Sequence, residues 1–179
     1  MSSRIESSSV EAEELQSSFD EWKSAEEDQK AELEKQILEH AEEIISSYGG
    51  LYAGARARMV RAQMYVEKES WEKAEDEFLD VADSFSKSYL APVALMSAAA
   101  CREELENYEG ALEIYRQVES EYAENSPAAP HALFSIGRLN EELDNRDAAL
   151  EAYNGLVDDF SSSNWTKPAR SRIIYLESN

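Results

Sequence analysis

Apolar residues along this chain recur at steps of three and four, the spacing of one face of an α-helix. Residues 93–105 run without a helix breaker, and Glu106-Asn107 closes the run with turn-forming residues. Ala111, Leu112, Tyr115, Val118 and Tyr122 then share one face of a second helix, which Ser126-Pro127 ends. The same pair returns as Pro130 to Leu143, a turn at Asp144-Asn145, and Arg146 to Phe160. An earlier pair covers Leu51 to Glu67 and Trp71 to Phe85. A lone first helix follows from Pro168 to Leu176. Pro92, Pro130 and Pro168 each suit a first helical turn, where a missing N–H leaves no bond unmade.

These pairs are copies of one unit. Trp71, Ala74 and Phe78 are matched by Tyr108, Ala111 and Tyr115, and by Arg146, Ala149 and Tyr153, at spacings of 37 and 38 residues. Seven residues beyond each last aromatic stand Phe85, Tyr122 and Phe160. A period of this size predicts stacked helix pairs, none of which can bury its apolar face alone. Ala62, Ala99 and Gly137 lie twelve residues before the repeated alanines and are the expected small partners where two helices approach closely. Phe78, Tyr115 and Tyr153 are expected to plug the gap to the next repeat, each burial being worth about 1.5–3 kcal/mol. The expected layout is repeats at 51–87, 91–125 and 129–162, with a capping helix at 167–177.

The amino-terminal part reads differently. Residues 1–9 are polar and Ser-rich, and predict a disordered tail. Residues 10–48 form either one long helix or a hairpin bending near Asp28, the hairpin being a degenerate repeat. Val10, Leu15, Phe19 and Trp22 mark one face; Leu33, Ile37, Ala41, Ile44 and Tyr48 mark another. In a hairpin, Phe19 and Trp22 are buried within the chain. On a projecting helix they would need a second copy, which makes them the candidate oligomer interface.

Charge sharpens this picture only a little. The chain of 179 residues has a net charge of −21, and residues 1–48 contribute −10 of it, from fourteen acids and four bases. Such a surface repels nucleic acid and anionic lipid and is compatible with a basic protein partner. Solvated acidic helix faces account for it better. Cys101 is the only cysteine, so no internal disulfide is possible. No run is apolar enough to span a membrane, and no signal-peptide pattern follows Met1. Read as complete, the chain is cytoplasmic; the Ser-rich start is also what a chain with its anchor removed would show.

Catalytic chemistry finds no constellation. There is no phosphate loop, and His40 and His131 sit in no metal-ligand spacing. The repeated pairs Glu103-Glu104 and Glu141-Glu142 read as solvated helix ends rather than an acid/base pair. The expectation is a non-enzyme with no metal and no cofactor.

The small residue, the twelve-residue step to Ala, and the aromatic four residues later resemble the tetratricopeptide repeat family over Leu51 to about Leu176. The period exceeds that family's 34, and its large aromatic early in the first helix is Leu95, Leu133 and, in the first copy, Arg58. Repeat endings such as residues 122–127 are similar to those of bacterial cell-envelope members. These include the Tol-Pal coordinator, the outer-membrane assembly lipoprotein and membrane-anchored ancillary subunits of the secretion machinery. The resemblance implies an all-α, right-handed solenoid of antiparallel helix pairs that scaffolds protein–protein contacts, in a periplasmic or envelope setting.

It also implies a groove lined by first helices. The matching positions are Arg56, Met59, Gln63, Val66 and Glu67, then Val93, Met96, Ala100, Glu103 and Glu104, then His131, Phe134, Arg138, Glu141 and Glu142. Met59, Val93, Met96 and Phe134 would be an apolar floor, with acids along one rim. These residues would equally serve to pack against the terminal helix or the amino-terminal segment. Chaperone-binding relatives clamp a terminal carboxylate with Lys and Asn, where this chain has Met, Ala and Glu. That clamp is not expected.

Overall fold

The computed structural model describes residues 2–123 and 126–178. Met1 of the expected tail and Glu124-Asn125 at the end of the second repeat lie outside them. Among the described residues there are helices and turns and no strand. The order is α1 (Ser2–Ser24), α2 (Glu27–Tyr48), α3 (Tyr52–Glu67), α4 (Trp71–Ser84), α5 (Leu90–Glu104), α6 (Tyr108–Tyr122), α7 (Ala128–Glu142), α8 (Arg146–Asp159) and α9 (Thr166–Ser178). The fold is all-α, built from antiparallel helix pairs. The chain divides into two compact units, Met1–Ala94 and Leu95–Asn179, the boundary falling inside α5.

In the first unit, α1 packs on both α2 and α3. The amino-terminal region is therefore a hairpin, turning at Ala25-Glu26, where the Ala25 N–H donates to Trp22 O at 3.2 Å. Local propensity favours one continuous helix here. Burial wins, because Ala12, Leu15, Phe19 and Trp22 join Ile37, Ala41 and Ile44 of α2 and Ala57, Val60 and Met64 of α3 in one core. Several large side chains at about 1.5–3 kcal/mol each outweigh one interrupted turn.

Two expectations fail in α1. Residues 2–9 are helical, not a disordered tail. Arg4 Nη2 donates to Ser47 O at 2.8 Å, and its guanidinium lies 5.7 Å from the centre of the Tyr48 ring. Ser8 is buried, its hydroxyl donating to Ile5 O at 2.9 Å. The Arg4 contacts tie the first turn to the end of α2. Val10 is exposed, and the buried face is Ser8, Ala12, Leu15, Phe19 and Trp22. That is a strict four-three repeat, with small residues at its start.

The turn from first to second helix is the same in all three repeats. Glu69, Glu106 and Asp144 adopt the left-handed conformation, at φ of 54°, 56° and 57°. The next residue's N–H reaches back five positions: Ser70 to Tyr65 O at 2.9 Å, Asn107 to Arg102 O at 2.8 Å, and Asn145 to Asn140 O at 2.7 Å. This is the Schellman arrangement, with an acidic residue where glycine is usual. Asn107 adds a cap, its Oδ1 accepting from Gly110 N at 3.1 Å.

The repeated small residues lie at close contacts. Ala62, Ala74, Ala99, Ala111 and Ala149 are fully buried, as are the aromatics Phe78, Tyr115 and Tyr153. At Gly137 a Cβ would stand 2.4 Å from Tyr153 Cε1, so only glycine lets the ring seat against α7. In the second unit, Ala149, Tyr153 and Leu156 of α8 share a core with Ala169 of α9.

Candidate functional site

The first-helix positions expected to line a groove separate into two groups of different character. In the first unit Arg56, Met59 and Val66 are half-buried, and Gln63 and Glu67 are exposed. Val93 is 46% exposed. Beside them stand two aromatics missing from the expected set: Tyr52 at the start of α3, 43% exposed, and Tyr89 just before α5, 69% exposed. Their hydroxyls are hydrogen-bonded to each other, with ring centres 6.1 Å apart. Burial, then the Tyr89 hydroxyl, pushes the Tyr52 phenol up to about 12, while the nearby Arg56 cation acts in the opposite sense. The sequence did hold a signal for them, since both rings occupy the same place in the 37-residue period, just ahead of a first helix.

In the second unit the first-helix aromatics make ring contacts. His131 stacks flat on Trp165, with ring centres 4.1 Å apart and planes within 5°. Phe134 touches Trp165 at 5.0 Å and Tyr153 at 5.5 Å. These two residues pack against the carboxy-terminal segment and stay half-buried. Burial, then the Arg138 cation, holds the His131 imidazole below its ordinary value against the opposing pull of Glu103. Met96 is half-buried and Ala100 exposed.

The rim acids are not simply solvated. Glu103 accepts from the Tyr115 hydroxyl at 2.7 Å and from Arg138 Nη2 at 2.6 and 2.8 Å. One repeat on, Glu141 accepts from the Tyr153 hydroxyl at 2.6 Å and from Arg172 Nε at 3.0 Å, with Arg172 Nη2 on its other oxygen. A tyrosine from a second helix, a carboxylate from its own first helix and an arginine from the following first helix make one relay, twice. Glu104 and Glu142 are exposed, as expected of helix-end acids.

In the first unit, arginines on α3 join neighbouring helices instead. Arg58 Nη1 meets Glu77 and Asp80, each at 3.1 Å. Arg61 joins Glu42 of α2 to Glu77 of α4, at 2.5 Å on each side. Arg58 stands where the resembled family has an aromatic, and its ion pairs join α3 to α4.

Phe19 and Trp22 offer no free surface for a second copy. They stack at 5.9 Å with planes within 10°, buried in the first unit's core, because the hairpin brings α1 back onto α2 and α3.

Residues 6–173 match the tetratricopeptide repeat-like domain. The chain belongs to that family. No curated protein matches it. Tetratricopeptide repeat-like domains mediate protein–protein contacts and are generally non-catalytic scaffolds. Among the described residues of this member no helix is long and apolar enough to cross a membrane, and no group of three or more His, Cys, Asp or Glu is placed to hold a metal ion.

The relay in this repeat protein gives a pH prediction. Burial alone would raise the Glu141 carboxyl; the Arg172 and Tyr153 hydrogen bonds outweigh it and hold the group below its ordinary 4.5. A carboxyl depressed by folding stabilises above its unfolded value and loses that contribution as pH falls through the folded one. The thermal midpoint should therefore drop between about pH 5 and 3, and Glu141→Gln should flatten that drop. Parallel midpoint–pH curves for the two proteins would remove Glu141 from the account.

Proposed function

We propose that this chain is a non-enzymatic scaffold that docks a partner polypeptide on the first-helix face, and that in the first unit the contact centres on Tyr52, Tyr89, Val93 and Arg56. The observation that carries this is the exposure of Tyr52, Tyr89 and Val93 among the first-helix residues of the first unit, the two tyrosines joined through their hydroxyls. Rings held in a patch and partly desolvated are the usual anchors of protein interfaces, because they bury much area for little lost freedom. Arg56 forms no ion pair among the described residues and lies close enough for its charge to act on the Tyr52 phenol, ready for a carboxylate or carbonyl of the partner. In the second unit His131 and Phe134, at matching first-helix positions, pack on Trp165, which supports centring the contact on the first unit.

The test is a photo-crosslinking residue at position 89 in the native organism, with the exposed position 72 on α4 as control. Adducts at 89 that exceed those at 72 by about tenfold support the reading, and Tyr52→Ser with Tyr89→Ser should lower capture by a similar factor without loss of helix content. Equal labelling at both positions would sink it. The envelope setting rests on the resemblance of the repeat endings; recovery of the chain in cytosolic fractions, free of envelope material, would end it.

A further inference from the structure

Outside the Tyr52–Tyr89–Val93 surface, the exposed large apolar side chains among the described residues fall on two helices. Ile5 and Val10 stand on α1, and Ile174 and Tyr175 on α9. The two helices differ in charge. α1 carries six acids against Arg4 and Lys23. α9 carries Lys167, Arg170 and Arg172 against a single acid, Glu177.

The exposed residues of each helix form a stripe. On α1, Glu6, Val10, Glu13, Ser17 and Glu21 follow one another at steps of four, three, four and four. This stripe lies opposite the buried Ala12, Leu15, Phe19 and Trp22, so it is the outer face of the amino-terminal hairpin. On α9, Lys167, Arg170, Ile174 and Ser178 follow at steps of three, four and four, turned away from the buried Ala169.

Much of this charge has no counterpart within the chain. Lys167 and Arg170 make no ion pair among the described residues, whereas Arg172 of the same helix is held by Glu141. Glu13, Glu14 and Glu21 make none either, while Asp20 is paired with Lys23 at 2.9 Å. An apolar side chain set among unpaired acids on one helix thus has its complement in the same sequence, an apolar side chain set among unpaired bases on the other.

The steps also fix a direction. With the helices antiparallel and Ile174 set against Val10, Arg170 comes opposite Glu13 and Glu14, and Lys167 comes opposite Ser17, one turn from Glu21. Run parallel, Lys167 would come opposite Ser3, with no acid beyond it.

We propose that α1 of one copy of this chain docks antiparallel on α9 of a second copy, with Val10 against Ile174 at the centre and the acids of α1 on the bases of α9. The contact joins two different surfaces, so each copy of a pair keeps one of them free. It is small and screened by salt, which sets Kd on the order of 100 µM. It does not depend on the Tyr52–Tyr89 surface.

Light scattering on the full chain should show the mean mass rising with concentration, and the rise should shrink when salt is raised about tenfold. Lys167→Glu with Arg170→Glu in one protein, and Glu13→Lys with Glu14→Lys in another, should each give a monomer with the parent's helix content. Mixed in equal amounts the two should associate again, because acids then face bases at every join. Misfolded variants would not recover in this way, and both proteins keep a net negative charge, so general attraction does not mimic it. Ile174→Ser should raise Kd by about tenfold. A parent that stays monomeric up to about 500 µM, association that survives either reversal, or a mixture that stays monomeric overturns the proposal.

Discussion

Tyr153→Ala should cost about 3–5 kcal/mol, the range for emptying a large aromatic site in a packed core. Tyr153 is fully buried, its ring against Gly137 on one side and Phe134 on another, in a core shared with Leu156 and Ala169. Helices held by their own backbone bonds cannot collapse into the hole, so the cavity persists. Tyr153→Phe should cost only about 1 kcal/mol, because Glu141 keeps Arg172 when the hydroxyl is lost. Gly137 supplies the companion measurement. Gly137→Ala alone puts a Cβ into the ring and should destabilise by about 1–3 kcal/mol; in the Tyr153→Ala background the same methyl enters empty space and should cost almost nothing. Urea unfolding of the four proteins closes the cycle. A Tyr153→Ala loss under about 1 kcal/mol, or purely additive effects, would refute the assignment of this ring as the wedge between α7 and its neighbours.

Arg61→Met should cost about 2–3 kcal/mol, placed between exposed pairs at under about 1 and buried ones at about 3–5. The arginine side chain is 13% exposed and that of Glu77 is 14%, so water compensates little. Removing the guanidinium leaves Glu77 with Arg58 alone and frees Glu42, which loosens α2 from α3 and α3 from α4 together. Met retains the aliphatic volume, so the loss reports on charge rather than packing. Adding Glu77→Leu should recover much of it, since a well-packed apolar pair replaces a buried ion pair at little cost. A single-variant loss below about 1 kcal/mol would show that solvent screens the pair after all.

What the sequence revealed depended on the size of the side chain that carries the signal. The helix pairs were legible because Phe78, Tyr115 and Tyr153, with the alanines before them, are unambiguous at fixed offsets. The start of α1 was not, because Ser8 and Ala12 make its buried stripe and serine registers as polar in any hydrophobic pattern. Which way the amino-terminal region would fold was undecidable from local propensity, since Ala25 to Ala31 favours helix and only tertiary burial of Phe19 and Trp22 interrupts it. The acids of the first helices were misread for a related reason. Glu103 and Glu141 look like their neighbours Glu104 and Glu142, and what sets them apart is a tyrosine twelve residues later and an arginine more than thirty residues on. Trp165 was visible as a ring near a loop, but its place over His131 and Phe134 follows from the stacking of repeats, which no local window contains.

The tyrosine–carboxylate–arginine relay also bears on how such a chain can grow. Each relay begins in one repeat and finishes on the first helix of the next, so every repeat arrives carrying half of two joins. A second copy of residues 108–145 placed directly after Asn145 would offer its own tyrosine and arginine to Glu141 and its own carboxylate to Tyr153 and Arg172. Lengthening by whole periods leaves no join unmatched, whereas an insertion inside one of the joining helices turns a tyrosine or a carboxylate out of register. Gene duplication in steps of one repeat would therefore be tolerated where insertions inside the joining helices are not, and the length of the array can change faster than its joints.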